Sequence, residues 1–485
     1  MAGAGFGLSR PQLVIQRRVS STTAVRQSRI GRGAALARLA LRIGGRYVAR
    51  SPRLLFASVE RRGELRHDLA LRSADEVAEE LGSMKGVLMK LGQMASYIYE
   101  DMPLTFRAAM SRLQQKAPPM TAGLASSVIV EELGDLPERV FAQWDPIPFA
   151  AASIGQVHRA ITRDGRAVAV KVQYPGIARS ITSDLRNVGL LRRVVGAAFR
   201  GLDTRSLVDE LGERLQEEVD YVREAKSQEL FAEYYEGHPV IRVPHVIGEL
   251  STARVLTSDL VSGASFDELL QWDQREKDLA AETIHRFVFR SLYRLHAFNG
   301  DPHPGNYLFH RGGKVTFLDF GLTKVFTDED LQPLADAVRF LVFEKDYEAF
   351  RASLERAGFL RAGAPVPTQV VVDRFGQFYG TVLEDAPMTI TPAFASAIVR
   401  RFFDARGPLA PYSDVPRAYV IMQRINLGLY AVLGSLNATA NWRRIAEEIW
   451  PFRNGPPSTP IGEAEARWEA TRYGADHSKG RLTSG

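Results

Sequence analysis

The chain has 485 residues, 45% hydrophobic and 24% charged, with a formal net charge of +6; this is globular material, longer than one core usually organises, and predicts a two-lobed catalytic unit with extensions. The absence of cysteine excludes disulfides, thiolate metal sites and a cysteine nucleophile, and leaves the redox compartment undetermined. Of the 62 basic residues only ten are lysine and 52 are arginine, so a lysine at a motif position is not there by background frequency.

Residues 1–66 read as a basic, partly disordered arm: before Glu60 there are eleven arginines, no lysine and no acid. From Leu36 the spacing predicts an amphipathic helix, with Leu36, Leu39, Ala40, Ile43 and Tyr47 on one side. Arg38, Arg42, Arg46 and Arg50 form an i, i+4 row, and Gly44-Gly45 weakens the helix. Such a segment suits an anionic membrane surface, an organellar targeting peptide, a solvated face or a nucleic-acid contact. No aromatic interleaving supports the last, so nucleic acid is not an expected partner. Residues 67–145 read as a helical extension in which Met84–Ala95 sets Lys90 and Gln93 at i, i+3 on a largely apolar helix. Without context that is a helix with a surface lysine. Ala117-Pro118-Pro119 marks a linker.

Residues 146–262 switch to strand periodicity. A first strand runs from Ala150 to Ala160, Asp164-Gly165 makes a hairpin turn, and Ala167–Val172 carries an inward Lys171 that would neutralise nucleotide phosphates. The stretch Ala151, Ala152, Ser153, Gly155, Gln156 and Val157 stands where a Gly-rich phosphate loop belongs, with alanines in place of most glycines. A stiffer loop that still offers N–H groups is expected to bind ATP or ADP on different terms. After a helical insertion over about 177–200, an acidic helix from Leu207 to Phe231 offers Glu217, Glu218, Asp220 and Glu224. One glutamate should pair with Lys171, and on these residues alone Glu218 and Glu224 are rivals. Strands over Val240–Val246 and Ala253–Leu260 lead to a hinge at Thr257–Val261, where Asp259 and Val261 would meet adenine.

Residues 263–450 read as mostly helical, with Leu279–Phe298 a long helix feeding the stretch Asn299–Gly321. That stretch predicts a loop, a strand over Tyr307–Phe309, a turn at Arg311-Gly312-Gly313 and a strand over Val315–Leu318. Asp301 and Asn306 lead into the hairpin and Asp319 leads out, so three oxygen-bearing side chains come to one spot. The spacings match a catalytic Asp followed five residues on by a metal-binding Asn, then by Asp-Phe-Gly. Magnesium takes hard oxygen ligands from one or two side chains plus phosphates, which Asn306 and Asp319 can supply while Asp301 orients a nucleophile. Thr327 reads as a helix N-cap six residues past Gly321, with no Ala-Pro-Glu and no room for a peptide-gripping segment. Tyr419–Leu436 is apolar but broken by Gln423, Arg424 and Asn426, a core helix and not a membrane span. Residues 451–485 are expected to be a mobile tail.

Taken in order, Lys90-Leu91-Gly92-Gln93, Ala150–His158, Val168–Gly176, Glu218-Val219-Asp220-Tyr221 with Glu224-Ala225, Asp301–Asn306 and Asp319-Phe320-Gly321 resemble the AarF/UbiB family of atypical protein-kinase-like proteins. The likeness covers about residues 75–440. It implies an α+β, bilobal protein-kinase-like fold with an N-terminal helical extension and a mostly helical C-lobe, the Lys-x-Gly-Gln motif lying across the site where a peptide would dock. It implies Mg2+ and ATP binding, an ATPase or unorthodox kinase activity, and a link to isoprenoid-quinone precursors, biosynthetic enzymes and lipid membranes. By the same resemblance Asp301 is the catalytic Asp, Lys171 the phosphate lysine and Glu218 its ion-pair partner. Asn306 and Asp319 are metal ligands, and Lys90, Gln93 and Glu224 form a polar cluster near the phosphates. Many members carry His where this chain has Asn299, a departure that bears on how the catalytic loop is anchored.

Three readings remain: an atypical kinase or ATPase, a nucleotide-gated scaffold for lipid precursors or enzymes, and a small-molecule phosphotransferase. The missing activation segment disfavours protein phosphorylation, and the alanine loop disfavours the third. The expected location is cytoplasmic with peripheral membrane contact, organellar import staying open.

Overall fold

The computed structural model describes residues 122–152, 154–178, 219–300, 303–403, 408–409, 411–413 and 416–473. The basic arm, the Lys90–Gln93 motif and nearly all of the 177–200 insertion lie outside them.

The small lobe is built on a five-stranded antiparallel sheet of β1 (Gln143–Trp144), β2 (Ala150–Ala152), β3 (Gly155–Ile161), β4 (Ala167–Gln173) and β6 (Val255–Asp259). Its centre is the β3–β4 hairpin, closed at Asp164-Gly165, where Gly165 takes φ +87°, a conformation that glycine adopts without a Cβ penalty. In β4, residues two apart turn Val168, Val170 and Val172 into the lobe's core, which leaves Lys171 on the opposite face. Helix α1 (Ala122–Leu133) covers the core side with Ala125, Val128 and Ile129. The segment 122–145, expected in the helical extension, thus packs into the small lobe, because its apolar residues fill the back of this sheet.

Helix α2 (Tyr221–Tyr234) starts at Asp220, whose side chain accepts from Arg223 N. The acidic helix expected from Leu207 therefore begins, among the described residues, at Tyr221, with Tyr221, Glu224, Gln228 and Phe231 on its buried face. In the stretch expected as Val240–Val246, the short strand β5 (Ile241–Arg242) pairs in parallel with the large lobe's hairpin, and Val246 makes an isolated antiparallel bridge to Ser258 of β6.

The large lobe is organised on α3 (Gln274–Arg290), capped by Asp273. The helix expected to reach Phe298 ends in a π-helical turn, Ser291–Leu295, closed by His296 at φ 54°. The chain then extends as β7 (Ala297–Asn299), paired with β10 (Thr323–Val325). Between them stands the hairpin of β8 (Tyr307–His310) and β9 (Lys314–Phe317), turned by Gly312 and Gly313 with φ of +74° and +71°. Ala264 exchanges both backbone hydrogen bonds with Phe309, clipping the inter-lobe linker to the hairpin. Helix α4 (Asp328–Val338) has the expected start, a capping box between Thr327 and Asp330. Helices α5 (Tyr347–Arg356), α6 (Thr368–Phe375), α7 (Pro392–Phe403), α8 (Arg417–Ser435) and α9 (Trp442–Ile449) complete the lobe. Among the described residues no helix is long and apolar enough to cross a membrane.

The mobile tail expected from Pro451 is corrected by α10 (Pro460–Tyr473), which is docked. Arg286, fully buried on α3, meets Glu282, Glu448 and Glu465 at 2.8 Å each, and Glu465 also meets Arg290 at 3.3 Å and His238 at 3.0 Å. Burial works against the Glu465 carboxylate, but Arg290, His238 and Arg286 outweigh it and hold its pKa well below the usual range. Trp468 and Arg472 donate to the carbonyls of Glu236 and Glu233 at the C-terminal end of α2. Composition hides such a helix because its docking is ionic and its partners lie far away in sequence. Glu465→Ala leaves two guanidinium groups short of a partner, so chemical denaturation should show a loss of about 3–5 kcal/mol, against a few tenths for Glu463→Ala at the exposed face.

Candidate active site

Lys171 projects from β4 toward α2, and its ammonium lies 2.7 Å from Glu224 Oε1 and 3.0 Å from Oε2. The same ammonium sits 4.8 Å from the centre of the Tyr221 ring. Glu224 is buried, with 4% of its side chain exposed, and Lys171 is little more open at 19%. Burial alone would discharge the lysine, but Glu224, Tyr221 and Asp319 outweigh it and hold its pKa well above the usual value. The lysine therefore keeps its charge, favoured by the Glu224 and Asp319 carboxylates.

The carboxylate that meets Lys171 is therefore Glu224, where the resemblance assigns Glu218. The helix start explains the difference: with Asp220 at the N-cap, Glu224 falls on the inward face one turn into α2, whereas Glu218 precedes the cap and lies outside the described residues. Asp220 itself serves as the cap. Two further contacts fix α2, and nothing local in the sequence announced them. Gln173, buried two residues past Lys171, donates to the carbonyls of Val219 and Ala253 at 2.8 and 3.2 Å. Arg223 donates to Thr323 O at 3.2 Å, joining α2 to the strand after Asp-Phe-Gly. The only sequence signal for Gln173 is its place on the strand two residues after the lysine.

Asn306 ends a 3₁₀ turn, Pro304–Asn306, in which His303 accepts from Gly305 N. Leu318 N donates to Asn306 O at 3.0 Å, so Asn306 and Asp319 share the open end of the β8–β9 hairpin. Gly321 N donates to Asp319 Oδ1 at 3.0 Å. A Cβ on Gly321 would stand 3.4 Å from that oxygen and 3.8 Å from Glu224 Oε2, which places Asp319 and Glu224 on either side of one glycine. Phe320 is fully buried, 4.9 Å from Phe231 of α2 between ring centres. The Asp-Phe-Gly turn is thus packed against the helix that carries Glu224. Asn299, at the position where many relatives carry His, donates its amide to Asp319 O at 2.6 Å and pairs with Thr323 in the β7–β10 ladder. Asn299 thus anchors the turn. Asp301 lies outside the described residues, immediately after Gly300, whose N–H is held by Leu322 O.

Over the pair, β2 and β3 run antiparallel with Ala152 opposite Gly155 and Val157 opposite Lys171. A Cβ on Gly155 would collide with the Val172 carbonyl, so this glycine is set by the close approach of two strands. Ala151 is exposed and Ala152 half-buried, while Ser153 lies outside the described residues. Gln156 is buried and hydrogen-bonded to His158, whose other ring nitrogen meets Asp145 O. At the hinge, Asp259 is turned back, accepting from His245 N at 3.3 Å and donating its own N–H to His245 O. Val261 follows in the linker and is half-exposed.

A lysine locked on a buried glutamate, beside the aspartate of Asp-Phe-Gly, is the phosphate-handling arrangement of protein-kinase-like folds. Residues 112–354 match the ABC1 atypical kinase-like domain. The chain belongs to that family. It is 33% identical to the mitochondrial atypical kinase COQ8B of Rattus norvegicus over 70% of this chain and 66% of that protein. It is 32% identical to the mitochondrial atypical kinase COQ8 of Saccharomyces cerevisiae over 53% of this chain and 51% of that protein. It is 31% identical to the chloroplastic protein ACTIVITY OF BC1 COMPLEX KINASE 8 of Arabidopsis thaliana over 61% and 40%. The chain thus spans less than two thirds of the length of these relatives. A solved structure, described as the complex of Rv3197 with erythromycin from Mycobacterium tuberculosis, superposes with a TM-score of 0.58 at 29% identity, covering 80% of this chain and 98% of that one. The fold is therefore the α+β kinase-like one.

If the Lys171–Glu224 pair organises the lobe interface, each partner removed alone leaves a buried charge. A double-mutant cycle of Lys171→Met and Glu224→Gln should show each single change costing about 3 kcal/mol or more and the double costing less than their sum by at least about 1 kcal/mol, read by denaturant unfolding. Additive losses would mean the two groups do not depend on each other.

Proposed function

We propose that this protein is an atypical kinase or ATPase that binds Mg-ATP between its lobes and supports isoprenoid-quinone or other membrane-lipid biosynthesis, as a peripheral partner of an anionic membrane. The carrying observation is the buried Lys171–Glu224 contact, with Glu224 and Asp319 both beside Gly321. Lys171, fixed by Glu224, binds the negative phosphates and stabilises charge that develops on them as the terminal phosphoryl group leaves. The donor set fits magnesium: Asn306 and Asp319, one amide and one carboxylate oxygen at one hairpin end, would hold Mg2+, which neutralises phosphate charge. Asp301, five residues before Asn306, orients water or a hydroxyl acceptor. The backbone around Ala151, Ala152, Ser153, Gly155 and Val157 covers the phosphates, and the hinge backbone at Asp259 and Val261 takes the adenine. Lys90 and Gln93 belong with Glu224 to a polar cluster near the phosphates, as the family resemblance implies.

The acceptor is not a protein segment gripped on an activation loop. The five residues Leu322–Phe326 between Asp-Phe-Gly and the cap of α4 are taken up by β10, laddered to β7. A small hydroxyl compound or water suits what space the strand leaves. The association with quinone and lipid chemistry rests on the family resemblance; the mitochondrial and chloroplastic relatives make an organellar setting compatible with this reading.

Purified full-length protein should hydrolyse ATP in a magnesium-dependent way, faster with anionic liposomes than without. Asp301→Asn and Asp319→Asn should each lower the rate by about a hundredfold or more. Turnover that survives both substitutions would place the chemistry elsewhere. Nucleotide binding with no turnover under any condition would favour the nucleotide-gated scaffold.

A further inference from the structure

Away from the nucleotide residues, the large lobe holds a partly open cavity of about 150 Å³. His285 and Phe289 of α3 with Leu292 of the π-helical turn form one wall, Ile398 of α7 a second, and Met422 and Asn426 of α8 a third. The lining is otherwise mostly aromatic and aliphatic. An apolar cavity of roughly this size holds one benzene-sized molecule.

Two polar atoms set this space apart from a packing defect. Nδ1 of His285 and Oδ1 of Asn426 are both buried without a hydrogen-bond partner, and both residues line the cavity. His285 is 5% exposed, its ring held 4.6 Å from Phe289 and 5.2 Å from Trp442. Desolvation, helped by neighbouring Arg286, lowers its pKa to about 3, so at neutral pH the imidazole is uncharged. Of the four tyrosines that line the cavity, Tyr430 has its hydroxyl engaged with Thr381, and Tyr419 donates to the Asp330 carbonyl. A buried polar atom left unmatched costs about 1–3 kcal/mol, and two of them lining one cavity call for an occupant that brings hydrogen-bonding capacity. One water would meet the polar atoms but leave the hydrocarbon walls without contacts. A charged molecule would be stripped of solvent with no counter-charge to meet it.

We propose that this cavity is a binding site for one small, uncharged molecule with an aromatic or similarly compact apolar body and a hydroxyl or N–H donor, its body among the rings of α3 and its donor on Asn426 Oδ1. The site is independent of the nucleotide reading. It lies on α3, the helix whose far end turns through Ser291–Leu295 into the strand carrying Asn299, so an occupant would touch the element that delivers the Asp-Phe-Gly anchor.

Ligand-observed NMR titration of the full chain with benzyl alcohol, toluene and benzoate tests this directly. Benzyl alcohol should bind, toluene should bind about tenfold or more weakly for want of the donor, and benzoate should show no saturable binding. Asn426→Leu should erase the preference for benzyl alcohol over toluene. Ile398→Phe should fill the space and abolish binding of both, and Leu292→Phe serves the same purpose if that variant does not fold; ATP binding reports that each variant is folded. Equal affinity for benzyl alcohol and toluene in the wild-type protein would overturn the assigned chemistry. No binding of either, or binding unchanged by both cavity-filling variants, would overturn the site and leave water as the only occupant.

Discussion

A lysine and a glutamate withdrawn from water make the contact on which the rest of this protein depends. Desolvating two charges is costly, and their attraction offsets it only where geometry is good and the surroundings supply further partners. Here Lys171 reaches both oxygens of Glu224 and stands over Tyr221. The two residues come from different kinds of element, a strand of the small lobe and the helix behind it, so the pair fixes α2 against the sheet. Gln173 and Arg223 hold the same helix from its two sides, by the strand and by the segment after Asp-Phe-Gly.

That helix is also held at its far end. Trp468 and Arg472 of α10 satisfy carbonyls at the C-terminus of α2, and α10 is in turn fastened by Glu465 to two buried arginines of α3. Phe320 closes the circuit by packing its ring against Phe231 of α2. The aspartate of Asp-Phe-Gly, the lysine pair and the last described helix therefore share one support. Displacing α10 would be felt at Glu224 through α2, although the two lie at opposite ends of that helix.

Local chemistry was legible in the sequence where a single turn or cap decides the outcome. Asp164-Gly165, the glycines at 312 and 313, the Thr327 cap and the hairpin between Asn306 and Asp319 are each specified within a few residues, and each stands in the structure. Choices that depend on distant partners were not legible. Glu224 and Glu218 are equivalent in the sequence until the helix start at Asp220 puts Glu224 on the inward face. The tail beyond Pro451 has the composition of a linker, yet Glu465 meets arginines more than 170 residues earlier in the chain. The end of α3 at Arg290 is followed by a π-turn and a left-handed His296, features with no reliable signature in residue type. Asn299, seen in the sequence as a departure, turned out to hold the Asp319 carbonyl.

The central claim is that this arrangement handles a nucleotide together with magnesium. Equilibrium binding of ATP across a magnesium titration, in wild-type protein and in Asn306→Ala, tests it most directly. The account predicts that magnesium tightens ATP binding by about tenfold or more, and that Asn306→Ala loses most of that gain while metal-free binding, carried by Lys171, is kept. Equal ATP affinity with magnesium and with chelator in the wild-type protein would contradict it.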